Sequence, residues 1–291
     1  MVKKEDKLLA WILLLTLALI WGSSFILMKK GLRTFAPDQL ASLRMSISFM
    51  CLLPVVLTRF KQVQKSHWKY LMAAGILGNG IPAFLFAIAQ THISSSVAGM
   101  LNGLTPVFVL ILGWWFFKVK TSGFGVAGVL MGLSGAIALL FIRSSGTVSS
   151  DPKYGLLIVL ATVCYGFSAN IIRSKLHVAS SILITAFVLS FVGPPSMVYL
   201  FSTDFLHRMC SEGAWLDLGY IAILAVFGTA LSTVLFNRLL KITTAVFAST
   251  VTYMIPVVAM LWGLLDGERI GVEHLASLLV IFTGVYLASR K

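Results

Sequence analysis

The chain has 291 residues, 58% of them hydrophobic and only 11% charged, and a net charge of +13. Soluble domains carry about 25% charged residues and about 45–50% apolar ones, so a soluble enzyme, a disordered chain and a collagen-like chain are excluded. With a mean hydropathy of +0.94 and about 20 apolar residues needed per helical crossing, the chain has room for about ten crossings of a membrane.

The expected crossings are residues 8–28, 38–57, 69–90, 95–117, 122–142, 154–173, 180–202, 214–237, 244–265 and 270–289. The first is too long for a signal-peptide core and lacks a small-residue cleavage site, so it reads as a membrane helix. It carries Trp21 near mid-depth, and the second carries Arg44 in its outer half. The third holds Asn79 in the run GILGNGIP at 75–82, where the glycines and Pro82 predict an irregular helix. Gln90 and His92 follow at a short turn, and the fourth crossing carries Asn102 and Thr105. The polar run RSSGTVSSDPK, 143–153, lies near the centre of the chain and reads as a linker. The sixth crossing carries Tyr165 and Asn170, the eighth ends at Asn237, and the ninth carries Thr252 and Tyr253.

With the N-terminus placed inside, fifteen of the 23 lysines and arginines fall inside, seven outside, and Arg44 lies within a helix. This excess favours both termini in the cytoplasm, with the outside stretch Lys29–Arg33 arguing the other way. No basic stripe interleaved with aromatics is present, so nucleic acid is not an expected partner. Cys51, Cys164 and Cys210 show no CxxC or Cys/His spacing and read as small apolar residues.

Five crossings per half is an odd number, so a tandem copy must enter the membrane upside down. At an offset of 150, Gly78 meets Gly228, Phe86 meets Phe236, Pro106 meets Pro256 and Gly113 meets Gly263. Ser95, Gly99, Asn102, Pro106 and Gly113 share one helical face, and Ala245, Ser249, Thr252, Pro256 and Gly263 repeat it. Small residues permit close helix packing; two related stripes of this kind also suit helices lining a central cavity.

These segments resemble the drug/metabolite transporter superfamily, specifically its EamA-type ten-helix members. The resemblance is carried by IWGSSF at 20–25, LASLR at 40–44, CYGFS at 164–168, YMIPV at 253–257 and GERI at 267–270. It implies an all-α polytopic membrane protein with ten transmembrane helices as two inverted five-helix repeats. The expected division is 1–145, a linker at 146–153, and 154–291. One departure is FFKVK at 116–120, where Lys118 stands in place of the acid that the second half keeps at Glu268.

Asn79, Asn102, Thr105, Thr252 and Tyr253 are candidate cavity residues, because an amide or hydroxyl at mid-membrane needs a partner. That partner is either a ligand or a neighbouring helix. Trp21 and Tyr165, away from the interfaces where aromatics collect, either wall a cavity or pack in the core. Arg44 pairs with a substrate carboxylate, holds a helix-end carbonyl, or reaches the outer interface. His92 either senses pH or is a solvated turn residue. Asn170 and Asn237 line an inner vestibule or satisfy helix ends.

No acid lies near mid-helix, and no GxxxxGK[ST], HExxH or aspartate-rich cluster is present. The expected function is a secondary transporter, exporting small organic metabolites such as amino acids by alternating access. No enzymatic activity or cofactor is expected. A non-transporting subunit of a lipid-modification or receptor complex is the alternative. The expected partners are a small-molecule substrate and the lipid bilayer, and the expected location is a bacterial cytoplasmic membrane.

Overall fold

The structure is a computed structural model that describes residues 4–119, 123–141, 152–176, 179–243, 245–268 and 270–289. Among these residues the chain is helical, with no strand. Seven helical segments are long and apolar enough to cross a membrane, and three shorter apolar helices lie at 123–138, 251–265 and 272–284. The 146–153 linker falls almost wholly outside the described residues, as do the charges of Lys3, Lys120, Arg143, Arg269, Arg290 and Lys291.

The helices run in chain order as α1 (Lys4–Gly31), α2 (Pro37–Arg59), α3, α4, α5 (Gly123–Phe141), α6 (Pro152–Lys175), α7, α8, α9 and α10 (Val272–Ser289). Five are interrupted. α3 consists of Trp68–Gly75, a π-helical turn at Ile76–Gly80, and Ile81–Ala89. α8 repeats this plan with Ala214–Ala225, a π-helical turn at Val226–Leu231, and Ser232–Ile242. α4 consists of Ser95–Asn102 and Thr105–Phe117. α9 passes from Ala245–Ser249 through a 3₁₀ turn, Thr250–Tyr253, into Ile255–Leu265. α7 breaks between Ser181–Ser190 and Gly193–Phe201.

Proline explains the breaks in α4, α7 and α9. Pro106, Pro194 and Pro256 each sit in the first turn of the restarting piece, where a missing N–H costs nothing. The sequence pattern had placed Pro106 and Pro256 inside continuous helices; instead each helix ends and begins again there. The chain bridges both gaps with three-residue turns. Leu104 N–H donates to Leu101 O at 3.1 Å, and Met254 N–H to Val251 O at 3.2 Å.

The halves interlock by exchange. α1 packs on α8 and α9 of the other half, and α6 packs on α3 and α4. α2 meets α7, and α5 lies along α10. The α5–α10 seam brings Gly284 against the backbone at Gly132, the small-residue contact that membrane helices use for close approach. Fully buried Leu40, Leu104, Ile158 and Ile255 fill one apolar core, and Leu14, Leu17, Phe187 and Leu239 a second. Apolar side chains such as Trp115, Trp215 and Leu265 remain exposed on the outside, as a lipid-facing surface requires. The protein is a polytopic membrane protein of two inverted five-helix repeats.

Candidate functional site

A partly open cavity lies between the two halves. Seven of the eight residues singled out from the sequence line it: Trp21, Arg44, Asn79, Asn102, Thr105, Tyr165 and Thr252. Tyr253 is not in the lining; its ring packs on Phe282 of α10, with centroids 6.0 Å apart. The 3₁₀ turn in α9 turns Thr252 toward the cavity and its neighbour away from it.

Most of the wall is built twice. Trp21 and Ser24 of α1 are matched by Tyr165 and Ser168 of α6, 144 positions on. Gly78, Asn79, Phe86 and Asn102 are matched by Gly228, Thr229, Phe236 and Thr252, 150 positions on. Each glycine accepts the opposing serine: a Cβ at Gly78 would overlap Ser168 Oγ, and one at Gly228 would overlap Ser24 Oγ. Aromatic rings flank the space in cross-half pairs. Trp21 meets Phe236 at 5.2 Å, and Phe86 stacks on Tyr165 at 6.1 Å.

The π-helical turns place polar atoms where a regular helix would hide them. Trp21 Nε1 donates to Gly228 O at 3.1 Å and to Ser232 Oγ at 2.9 Å. Thr229 Oγ1 accepts from Arg44 Nε at 2.6 Å and donates to Leu224 O at 3.4 Å. Arg44 therefore does not reach an interface; it is held at the cavity by the other half. The position that matches Arg44 is Val188, so this charge is present once. Among the described residues no acid lines the cavity. Thr105 Oγ1 donates to Asn102 O at 2.8 Å across the α4 break.

Of the other polar candidates, Asn237 lines the cavity and Asn170 does not. Asn170 Nδ2 donates to Val109 O and Gly166 O, both at 2.9 Å, and ties α6 to α4. Gln90 is buried; its Nε2 donates to Phe25 O and Ser95 Oγ. His92 lies flat on Tyr154 with centroids 3.6 Å apart. Sequence reasoning passed over Ser24, Ser168, Thr229, Thr233 and Phe236 as cavity residues. The 144-residue offset between IWGSSF and CYGFS would have found the serine pair.

One end of the bundle carries an ionic cluster. Glu268, just after α9, accepts the backbone N–H groups of Ser95 and Ser96 at the start of α4, each at 3.1 Å. Lys29 Nζ reaches Glu268 at 2.9 Å and Asp266 at 2.8 Å, and Lys30 also pairs with Asp266. Burial pushes the Glu268 carboxyl up, but Ser96 and Lys29 pull it further down, below the usual carboxylate range. Asp266 is likewise lowered, since Lys29 and Lys30 outweigh its burial.

Comparison with known proteins places this architecture. An uncharacterized transporter of Archaeoglobus fulgidus is 26% identical over 288 residues, 97% of this chain and 99% of that protein. The uncharacterized inner membrane transporter YedA of Escherichia coli is 25% identical over 96% of this chain and 90% of its own length. A Chlamydia trachomatis protein named an S-adenosylmethionine/S-adenosylhomocysteine transporter is 24% identical over 86% of this chain and 80% of its own. One solved crystal structure has the same fold, with a TM-score of 0.65 over 96% of each chain at 16% identity. The EamA-like transporter family profile matches residues 8–141 and again 153–290. With nearly its whole length matched, the chain belongs to the EamA-like transporter family.

Proposed function

We propose that this transporter exports small organic metabolites such as amino acids by alternating access, with both termini in the cytoplasm. The observation that carries the reading is the cavity itself. It lies between two exchanged halves, and matched residues from each line it. Rocking one half against the other would expose such a site to each side in turn. Trp21, Arg44, Asn79, Asn102, Thr105, Tyr165 and Thr252 would contact the substrate, with Tyr253 supporting Thr252 from behind. The lysine and arginine excess supports the assigned orientation. Binding would be to a bacterial cytoplasmic membrane protein acting on a small molecule, with no enzymatic step.

The test is exchange of labelled substrates by the purified protein in proteoliposomes. The panel should hold amino acids, nucleosides and polyamines. S-adenosylmethionine and S-adenosylhomocysteine join it because the chlamydial relative is named for them. Asn79→Ala and Asn102→Ala should each lower exchange at least severalfold while insertion and folding are retained. Exchange at the original rate in both variants would remove this cavity as the transport site.

A further inference from the structure

Arg44 offers an unfilled anion site. Its Nε is used on Thr229, but among the described residues neither Nη group has an acceptor and no carboxylate pairs with the side chain. Two free Nη groups on a guanidinium held by its Nε form a fork suited to a carboxylate. An uncompensated charge within a membrane protein is costly, so a bound anion gains the full attraction of that site.

A second unfilled group lies in the same wall. Asn237 is fully buried, and its Oδ1 has no hydrogen-bond partner. Its orientation is fixed by its neighbours. Thr185 Oγ1 spends its proton on Ser181 O at 2.9 Å, so it can only accept from Asn237 Nδ2, also at 2.9 Å. The orphan is therefore an acceptor, and it needs an N–H or O–H donor. Asn237 follows Thr229, the residue that holds Arg44, by eight positions in α8. At a rise of 1.5 Å per residue, that is about 12 Å along the helix. The rings of Trp21 and Phe236 lie in the wall between.

From this arrangement we infer that the ligand is an extended carboxylate: the acid group sits on the Arg44 fork, a flat or apolar body passes the rings, and a donor at its far end reaches Asn237. An α-amino group beside the carboxylate cannot serve as that donor. The inference rests on the cavity being the transport site, and it narrows the substrate to acids with a distal N–H or O–H.

Four probes with one skeleton test it: tyrosine, phenylalanine, tyrosinamide and tyramine, titrated against the full-length purified protein by thermal shift. Tyrosine should bind at least about tenfold more tightly than its amide or amine, as expected for a charge-assisted hydrogen bond. It should also exceed phenylalanine, which lacks the distal hydroxyl. Arg44→Gln should erase the preference for the acid, and Asn237→Leu the preference for the hydroxyl. Thr229→Val leaves the guanidinium in place but frees its Nε, so affinity should fall while the acid is still preferred. Equal binding of tyramine or tyrosinamide, no binding of tyrosine, or an acid preference that survives in Arg44→Gln would overturn the assignment. Proteoliposome exchange separates the two readings. Tight tyrosine binding without exchange would sink the transport site but leave the anchor standing; exchange of tyramine by Arg44→Gln would do the reverse.

Discussion

Ser96 donates twice to one oxygen of Glu268, through its hydroxyl at 2.6 Å and its backbone N–H at 3.1 Å. A residue after α9 thus accepts two N–H groups at the start of α4 of the other half, beside Ser94, whose hydroxyl accepts the N–H of Val97. The carboxylate faces the positive end of that helix and is held from the other side by Lys29. The matching junction cannot be built this way. Lys118 stands where Glu268 would, and Arg173 stands where Lys29 would. Arg173 turns instead to Leu240 O, at 3.1 Å.

This junction gives the protein an acid-labile joint. Glu268 and Asp266 both have pKa values lowered in the folded state. Such groups stabilise the fold above their unfolded values, near pH 4, and lose that contribution as pH falls through the folded values. The Tm of the purified protein should therefore hold steady from neutral pH down to about 5 and drop below about 4. Glu268→Gln should lower Tm at neutral pH and flatten the acid-side drop. A variant with an unchanged acid limb would show that the cluster contributes nothing to it.

The glycine–serine contacts predict a specific rescue. Gly78→Ala places a methyl group on Ser168 Oγ, whose own bond runs to Ala74 O at 3.1 Å. Overpacking of this kind costs about 1–3 kcal/mol. Ser168→Gly in the same chain should recover much of the loss, and the pair Gly228→Ala with Ser24→Gly should behave alike. Thermal denaturation of the four single and two double variants decides it. Simple addition of the two losses would mean the residues do not meet.

Trp21→Phe keeps the ring against Phe236 but removes the two bonds from Nε1. The Gly228 carbonyl, inside the π-helical turn of α8, then loses a donor. The expected cost is about 0.5–2 kcal/mol in stability. A larger effect is expected on exchange, because the indole N–H joins α1 to the part of α8 that would have to move. Normal exchange rates in a stable Trp21→Phe protein would deny this bond a role in transport.

How much of this was legible depends on what leaves a trace in composition. Apolar runs such as 154–173 marked α6 closely, since few alternatives exist for twenty apolar residues in lipid. Asn79 and Arg44 stood out because a polar group in such a run is costly. Ser24 did not, because its hydroxyl can be satisfied by the carbonyl of Ile20 one turn back, at 2.9 Å, in any helix. Tyr253 is paired with Thr252 in the sequence because the two mirror Gly103 and Asn102 at an offset of 150, and of the two the structure brings only Thr252 into the lining. The role of Glu268 was out of reach, since its partners Ser95 and Lys29 are 173 and 239 positions away.

Lys118 offers a last test, of strain rather than contact. It ends α4 in the left-handed conformation, φ 56°, ψ 30°, which costs an L-residue about 1 kcal/mol. α9 ends with Gly267 at φ +81°, where no such cost arises. The Lys118 side chain is exposed, and its N–H bond to Gly113 O is a backbone contact that glycine retains. Lys118→Gly should therefore raise stability, by roughly 0.5 kcal/mol once the greater freedom of glycine in the unfolded chain is subtracted. Lys118→Ala keeps the strained Cβ and should raise nothing. Equal Tm values for the glycine and alanine variants would place the cost of this position somewhere other than its backbone.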